Sequence, residues 1–317
     1  MPAISATAPG KIILFGEHAV VYGQPAIAVP VTQVGAKVTV HADPTAAPGQ
    51  VHLTAEDIGL NCALSDLPED HPFAVLLAAV AEQLGLPRLP ALRLHIRSSI
   101  PIAAGLGSGA AVSAAAARAI SAFVGHPLDD DQVSNIAYRV DQVYHGTPSG
   151  IDNTVIAYAQ PIFYVRGQPF ERLCLNHPVT LVIGNSGIAS STGAVVGDVC
   201  ARWQVNPQPY EELFEEVGAV VRQARQVMES GEAGDLGPLM TKNHALLQAL
   251  DVSSPALDRL VDAALAAGAG GAKLCGGGRG GNMIALANPE DAARIAQALQ
   301  AAGAVNTIIT TVQITAA

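Results

Sequence analysis

Positive charge is scarce in this sequence. Lys and Arg number 17 against 27 Asp and Glu in 317 residues, a formal net charge of −10. So acidic a chain offers no basic surface for nucleic acid or an anionic membrane. Any phosphate it binds must be held by a few placed groups. Charge of either sign is thin, at 14%, while half the residues are hydrophobic and Ala and Gly abound. That balance fills a core and argues against disorder. Long apolar runs are missing as well. The richest, "AAVSAAAARAISAFV", is interrupted by Arg118 and is too short to span a bilayer. The opening "MPAISATAPGK" lacks a basic region followed by an apolar one, so no secretory signal is expected. Cysteine occurs only at Cys62, Cys174, Cys200 and Cys275, too far apart for metal-ligand spacing. Reduced thiols and a cytoplasmic location are the expectation.

A chain of this length is expected to form two domains. The best boundary is "QPFERLCLNHP", between the strand-like runs "PIFYVRG" and "VTLVIGNSG", which divides the chain into 1–175 and 176–317. The run "AIAVPVTQVGAKVTV" reads as a strand pair over 26–41. In "ALRLHIRSS", Leu92, Leu94 and Ile96 share one face and Arg93, His95 and Arg97 the other, a half-solvated strand of the antiparallel kind. A glycine-rich loop follows, then a helix to about Val124, ended by Gly125. A second helix starts at Asp129–Asp131, carries Val133, Ile136, Ala137, Val140 and Tyr144 at helical spacing, and stops at Gly146. "TPSGIDN" is turn-rich. Helical patterns cover 207–230, 234–250 and 254–267. A glycine-rich loop, "GGAKLCGGGRGG", precedes the strand "NMIALA", a helix over 289–302 and the strand "NTIITTVQI". Helices interleaved with amphipathic strands predict an α+β fold.

The loop Gly105-Leu106-Gly107-Ser108-Gly109-Ala110 matches G-x-G-x-x-A. A dinucleotide site of that type follows a buried parallel strand and needs an acid roughly twenty residues on. Here the strand before the loop alternates, Pro101 intervenes, and the acids at 129–131 open a helix. A phosphate cradle asks less: glycines let backbone N–H groups converge on an anion, and the helix behind adds its positive end. Ser108 would cap that helix or ligate Mg²⁺. Taken alone, the loop is equally a glycine turn capped by Ser108 and packed by alanines.

Five polar residues stand out elsewhere. In "APGKIILFGEHAVVYGQPAIAVP", Lys11 opens a strand and Glu17 and His18 follow an apolar run. A lone His is commonly structural and a lone Lys solvated. In "HGTPSGIDN", Asp152 sits in a loop entering "TVIAYA", as a turn-capping acid or a buried functional carboxylate. Asp141 lies roughly 40° past Ala137 around its helix, beside the apolar arc, either solvated or reaching a cleft edge.

Taken together, "PGKIILFGEHAVVYG", "PIAAGLGSGAA" and "KLCGGGRGGN" resemble, in order and across nearly the whole chain, the three motifs of the GHMP kinase superfamily. "GEHAVVYG", "HGTPSGIDN" and "NSGIASSTGAVVGDV" look most like the mevalonate kinases within it. The resemblance implies an N-terminal ATP-binding domain like domain 2 of ribosomal protein S5 and a ferredoxin-like C-terminal domain. It implies ATP and Mg²⁺ as cofactors and mevalonate as the substrate phosphorylated. Asp152 would be the catalytic aspartate and Lys11 the lysine beside it. Pro101, Ala104, Gly105, Leu106, Gly107, Ser108, Gly109 and Ala110 would hold the nucleotide. Asp141 and Ser108 would hold the metal. Glu17, His18, Ser149, Gly150, Ser191, Thr192 and Gly277 would face the substrate.

The sequence departs from the family pattern at four places. Gly109 stands where a metal-ligating serine is usual, and Asp141 where a longer glutamate is. Arg279 replaces a glycine, facing solvent or adding charge near the phosphates, and Asn282 stands where cysteine is common. Another small-molecule kinase of the superfamily, such as a phosphomevalonate kinase, and a non-catalytic sensor of ATP and sugar are the rival readings. A homodimer is left open.

Overall fold

The chain, for which a computed structural model describes residues 3–101, 105–146 and 148–313, is divided by its internal contacts into two interleaved units. The first gathers residues 1–10, 34–102 and 107–159, the second residues 11–33, 103–106 and 160–317. The single cut expected at 175/176 falls inside the second of these.

Two long strands run through both units: β1 (Ile4–Phe15) and β2 (Ala26–Ala42), which pair with each other. In the first unit the end of β2 pairs with β5 (Leu92–Ser98), which is preceded by β3 (Val51–Ala55), β4 (Leu60–Ala63) and α1 (Pro72–Gln83). The order is β4-β3-β5-β2, with β3 parallel to β5 and the other pairs antiparallel. Along β5 the expected alternation is present: Leu92, Leu94 and Ile96 are buried, while Arg93, His95 and Arg97 are exposed.

Three helices complete this unit: α2 (Ser108–Phe123), α3 (Asp130–His145) and α4 (Ile151–Tyr158). Ala114, Ala115, Ala116 and Ala117 of α2 are wholly buried. Such short side chains let α2 lie close to both α3 and α4, which it contacts.

The second unit starts from the first half of β2, which pairs with β6 (Ile162–Tyr164), and β6 pairs with β7 (Glu171–Arg172). Then come β8 (Val179–Asn185), α5 (Thr192–Val205), α6 (Pro207–Ser230), α7 (Leu236–Ala249) and α8 (Pro255–Ala266). β9 (Gly271–Cys275), β10 (Asn282–Ala287), α9 (Ala292–Ala301) and β11 (Asn306–Val312) follow. The sheet order β11-β8-β10-β9 is antiparallel throughout. Counted from β8, the strands stand fourth, first, third, second, the ferredoxin-like arrangement, with α5 to α8 where that motif has a single helix. The α+β class expected from the interleaved pattern is the one observed.

Four expectations change. The strand pair over 26–41 is one 17-residue strand. Gly35 inside it serves a close approach: a Cβ there would lie 2.6 Å from the Ala8 carbonyl oxygen. Lys11 lies inside β1 and does not open it. Asp152 is in the first turn of α4, not in a loop. The first half of "GGAKLCGGGRGG" is strand β9, every residue of it buried, so only residues 276–281 form the loop.

α3 begins where its acids suggested. The Asp129 carboxylate accepts from the Gln132 backbone N–H at 2.8 Å, and the Gln132 side chain accepts from Asp129 N–H at 3.0 Å. This reciprocal cap satisfies two donors that a helix start otherwise leaves without partners. Asp129→Ala should therefore cost about 1 kcal/mol. Thermal melts should show a fall of about 2–4 °C, and Asp129→Ser should recover most of it.

Candidate active site

The glycine loop enters α2 in a left-handed path. Gly105 and Gly107 have φ of 72° and 75°. Gly107 is the helix N-cap, with no side-chain hydrogen bond capping the helix, and Ser108 is already the first helical residue. Ser108 therefore does not cap α2. Among the described residues no side chain caps this first turn, and an uncapped helix start is the kind that binds anions. Pro101 ends the described approach to the loop, and Ala104 lies outside the described residues. Within the second unit, the Leu106 carbonyl accepts from the Lys11 backbone N–H at 3.0 Å, which ties the loop to β1. Leu106 and Ala110 are buried and anchor the two sides of the turn.

Gly109 is the second residue of α2. A Cβ at this position would lie 3.5 Å from Tyr144 Cε2, ordinary van der Waals contact. Tyr144 is on α3, one turn past Asp141, and its phenol is pushed up by burial first and the Asp141 charge second. Asp141 is 5% exposed. Among the described residues no three His, Cys, Asp or Glu cluster to hold a metal ion. A single carboxylate with a serine hydroxyl suits Mg²⁺, which keeps waters and takes most ligands from phosphate. The residues present fit that ion and not one that needs an all-protein cage.

α4 is set by its entry. Gly150 is its N-cap with φ 90°, and the Ser149 hydroxyl accepts from Ile151 N–H at 3.4 Å. The Gly150 carbonyl accepts from the Thr154 hydroxyl at 2.7 Å. The Asn153 amide, oriented to satisfy both its ends, accepts from the Ser134 hydroxyl of α3 at 2.9 Å and donates to Gly150 at 2.9 Å. Asp152 stands between these anchors, half-buried. Of the expected catalytic pair, Asp152 thus belongs to the first unit and Lys11, 5% exposed, to the second.

The second unit brings together the turn after β1 and the loop after β9. The Glu17 carboxylate pairs with the Lys273 ammonium, and neither side chain exceeds 1% exposure. Lys273 also donates to the Leu274 carbonyl at 2.7 Å. His18 takes φ 61°, uncommon for a side chain other than glycine. Its Nε2 lies 2.9 Å from the Gly277 carbonyl. A carbonyl only accepts, so Nε2 carries the proton and Nδ1 is an acceptor. Nδ1 and Glu17 Oε2 are buried and have no hydrogen-bond partner among the described residues. Burial lowers the His18 pKa to about 4, against the pull of the Gly277 bond, and the Arg279 and Arg202 charges lower it further.

The start of α5 meets the same loop. Ser191 is its N-cap, accepting from Ala194 N–H at 3.4 Å, and a Cβ on Gly277 would lie 2.8 Å from Thr192 Oγ1. Arg279, with φ 57°, pairs with Asp198 of α5 and with Asp251 in the turn after α7. Arg202 shares Asp251 at 2.8 Å. The Arg279 guanidinium is thus held by two acids. All four cysteines are free. Cys275 donates to the Ile13 carbonyl at 3.3 Å, and burial pushes its thiol up to about 11.

Lys273 escaped the sequence reading. Its signal was a lone cation inside the apolar strand "GAKLC", a placement tolerated only where a carboxylate waits.

His18 has a stability consequence. Its folded pKa is depressed, so between pH 6.5 and about 4 the unfolded chain binds a proton that the folded one refuses. Stability contributed by the neutral ring is present above 6.5 and falls on acidification, by about 3 kcal/mol in all. His18→Asn keeps a residue that tolerates positive φ. Denaturant titrations at pH 7 and pH 4.5 should show a smaller loss in this variant than in the parent.

Family models for the GHMP kinase N-terminal domain and the GHMP kinase C-terminal domain match residues 72–160 and 224–305. Mevalonate kinase of Thermococcus sibiricus is 36% identical over 321 residues, 95% of this chain and 93% of that protein. The crystal structure of L. major mevalonate kinase in complex with R-mevalonate is similar with a TM-score of 0.86 at 31% identity, covering 99% of this chain and 97% of that one. Methanococcus jannaschii mevalonate kinase gives 0.84 at 26% identity, covering 99% of each chain. With three motifs in order, an uncapped helix start behind a glycine loop and a ferredoxin-like second sheet, the chain belongs to the GHMP kinases, in the mevalonate kinase family.

Proposed function

We propose that this chain transfers the terminal phosphoryl group of ATP to the primary hydroxyl of mevalonate, giving 5-phosphomevalonate and ADP for isoprenoid precursor synthesis. The observation that carries this reading is the likeness, along nearly the whole chain, to a kinase whose crystal structure holds R-mevalonate. Residues 1–175 would supply nucleotide binding and catalysis, and residues 176–317 the ferredoxin-like part.

Phosphoryl transfer needs alignment and charge neutralisation more than covalent chemistry from the protein. The loop from Gly105 to Ala110, with Pro101 and Ala104 before it, would hold the phosphates by backbone N–H groups. That choice suits a chain with net charge −10, because neutral donors need no basic patch. Asp141 and Ser108 would hold Mg²⁺, whose chemistry is to neutralise the outer phosphates. Asp152 would receive or steer the proton of the attacking hydroxyl. Lys11 would neutralise charge that develops during transfer. Glu17, His18, Ser149, Gly150, Ser191, Thr192 and Gly277 would shape the substrate side. Several of these act by holding backbone: Ser149 and Gly150 set the entry of α4, and Ser191 caps α5.

The reading is tested by ADP release with mevalonate, phosphomevalonate and galactose offered separately. Mevalonate alone should support turnover. ADP formed without any acceptor dependence would overturn the proposal. Lys11→Met and Asp152→Asn should each lower kcat by about 10²–10³ with unchanged circular dichroism, the usual effect of losing an electrostatic partner of the transition state. Near-normal kcat in both variants would remove these assignments.

Gly109→Ser probes the metal. The space beside Tyr144 admits a Cβ, and the new hydroxyl adds an oxygen near the helix start. Titration of activity with Mg²⁺ should reach half-maximum at a concentration a few-fold lower than in the parent.

A further inference from the structure

The second unit contains a fully buried cation that the mechanism above does not use. Lys273 is 0% exposed, sits in the middle of strand β9, and reaches Glu17, 256 residues earlier. Moving two charges out of water is costly, and only a close partner with further hydrogen bonds compensates. Lys273 has both, in the Glu17 carboxylate and the Leu274 carbonyl. Glu17 is next to His18, whose backbone is held at φ 61° and whose ring is bonded to Gly277, four residues past Lys273. The chain from Gly16 to His18 is therefore gripped twice by the same β9 segment, once through a charge and once through a ring.

We propose that Lys273 is a positioning residue for the phosphoryl acceptor: by neutralising Glu17 inside the unit it holds the strained His18 turn, and with it the imidazole, in the form that receives substrate. The inference rests on the mevalonate reading. Lys273 acts through Glu17 and touches no substrate itself. The oriented imidazole is neutral and offers an acceptor, a complement to a hydroxyl and not to a phosphate.

The groups that face this pair come from three elements and the turn after β1. Lys11 on β1 and Cys275 on β9 share its surroundings, because the Cys275 thiol feels the charges of Glu17, Lys273 and Lys11. His244 on α7 feels Lys273, and its Nδ1 accepts from Leu274 N–H at 3.3 Å. His18 completes the set. Without Lys273, Glu17 would be an anion without its buried partner. That uncompensated carboxylate would be driven toward water and would carry the His18 turn with it.

Lys273→Met, close in shape and without charge, tests this in the full chain. At pH 8 its kcat/KM for mevalonate should fall at least tenfold, with KM for ATP within twofold of the parent. The double variant Glu17→Gln with Lys273→Met carries neither charge. It should recover several-fold in kcat/KM over Lys273→Met, which loss of packing at Lys273 alone would not produce. If Lys273→Met does not fold, the double variant against Glu17→Gln alone carries the test, and the double should again be the more active. The proposal is overturned if Lys273→Met matches the parent in kcat/KM, or if the double variant is worse than either single one. Absence of mevalonate turnover in the parent would instead sink the functional reading, a result separable from both.

Discussion

A single ion pair, Lys273 with Glu17, is the constraint on which the second unit depends most. Its two residues come from opposite ends of the chain and neither touches water. A buried charge is tolerated only with its partner in place, so the turn after β1 and strand β9 must be assembled together or not at all. The ring of His18 on Gly277, the contact of Gly277 with Thr192 and the Ser191 cap of α5 all follow from where that pair sets the two segments. Around it the acids Asp198 and Asp251 take up Arg279 and Arg202 at the surface. Those exposed pairs matter less for stability, because solvent screens them.

The first unit solves a different electrostatic problem. An acidic protein that handles phosphate would repel it if charge alone decided. Under the proposed function the donors would be backbone N–H groups at a helix start that, among the described residues, no side chain caps. Gly105 and Gly107 make that start possible through positive φ. The buried alanines behind it let α3 bring Asp141 and Tyr144 beside the same helix. Small side chains in α2 are thus what allow α3 to pack so close to it.

Legibility in the sequence followed periodicity. α2, α3, α6, α7 and α8 lie where apolar spacing and end signals placed them, and β5 alternates as read. Where the pattern was faint, elements went unseen. α5 buries only Val195 and Val199 along its length, too little for a stripe, and β3 and β4 are only five and four residues long. Glycine misled in "GGAKLC", read as part of a loop, where it stands at the start of a strand. Asp152 was visible as a candidate acid, but the turn-rich "TPSG" before it hid that a helix begins at Ile151.

What the sequence determined by itself was local and compositional: the α+β class, the glycine loop ahead of a helix, and the three motifs that mark the family. Those depend on neighbours a few residues apart, which a linear reading contains. Tertiary structure alone decided that Lys273 answers Glu17, that Gly277 selects the tautomer of His18, and that Arg279 is spent on acids. Each depends on which distant groups share a low-dielectric space. Burial multiplies the consequence of a charge or an unmet hydrogen bond, and burial is a property of the folded chain.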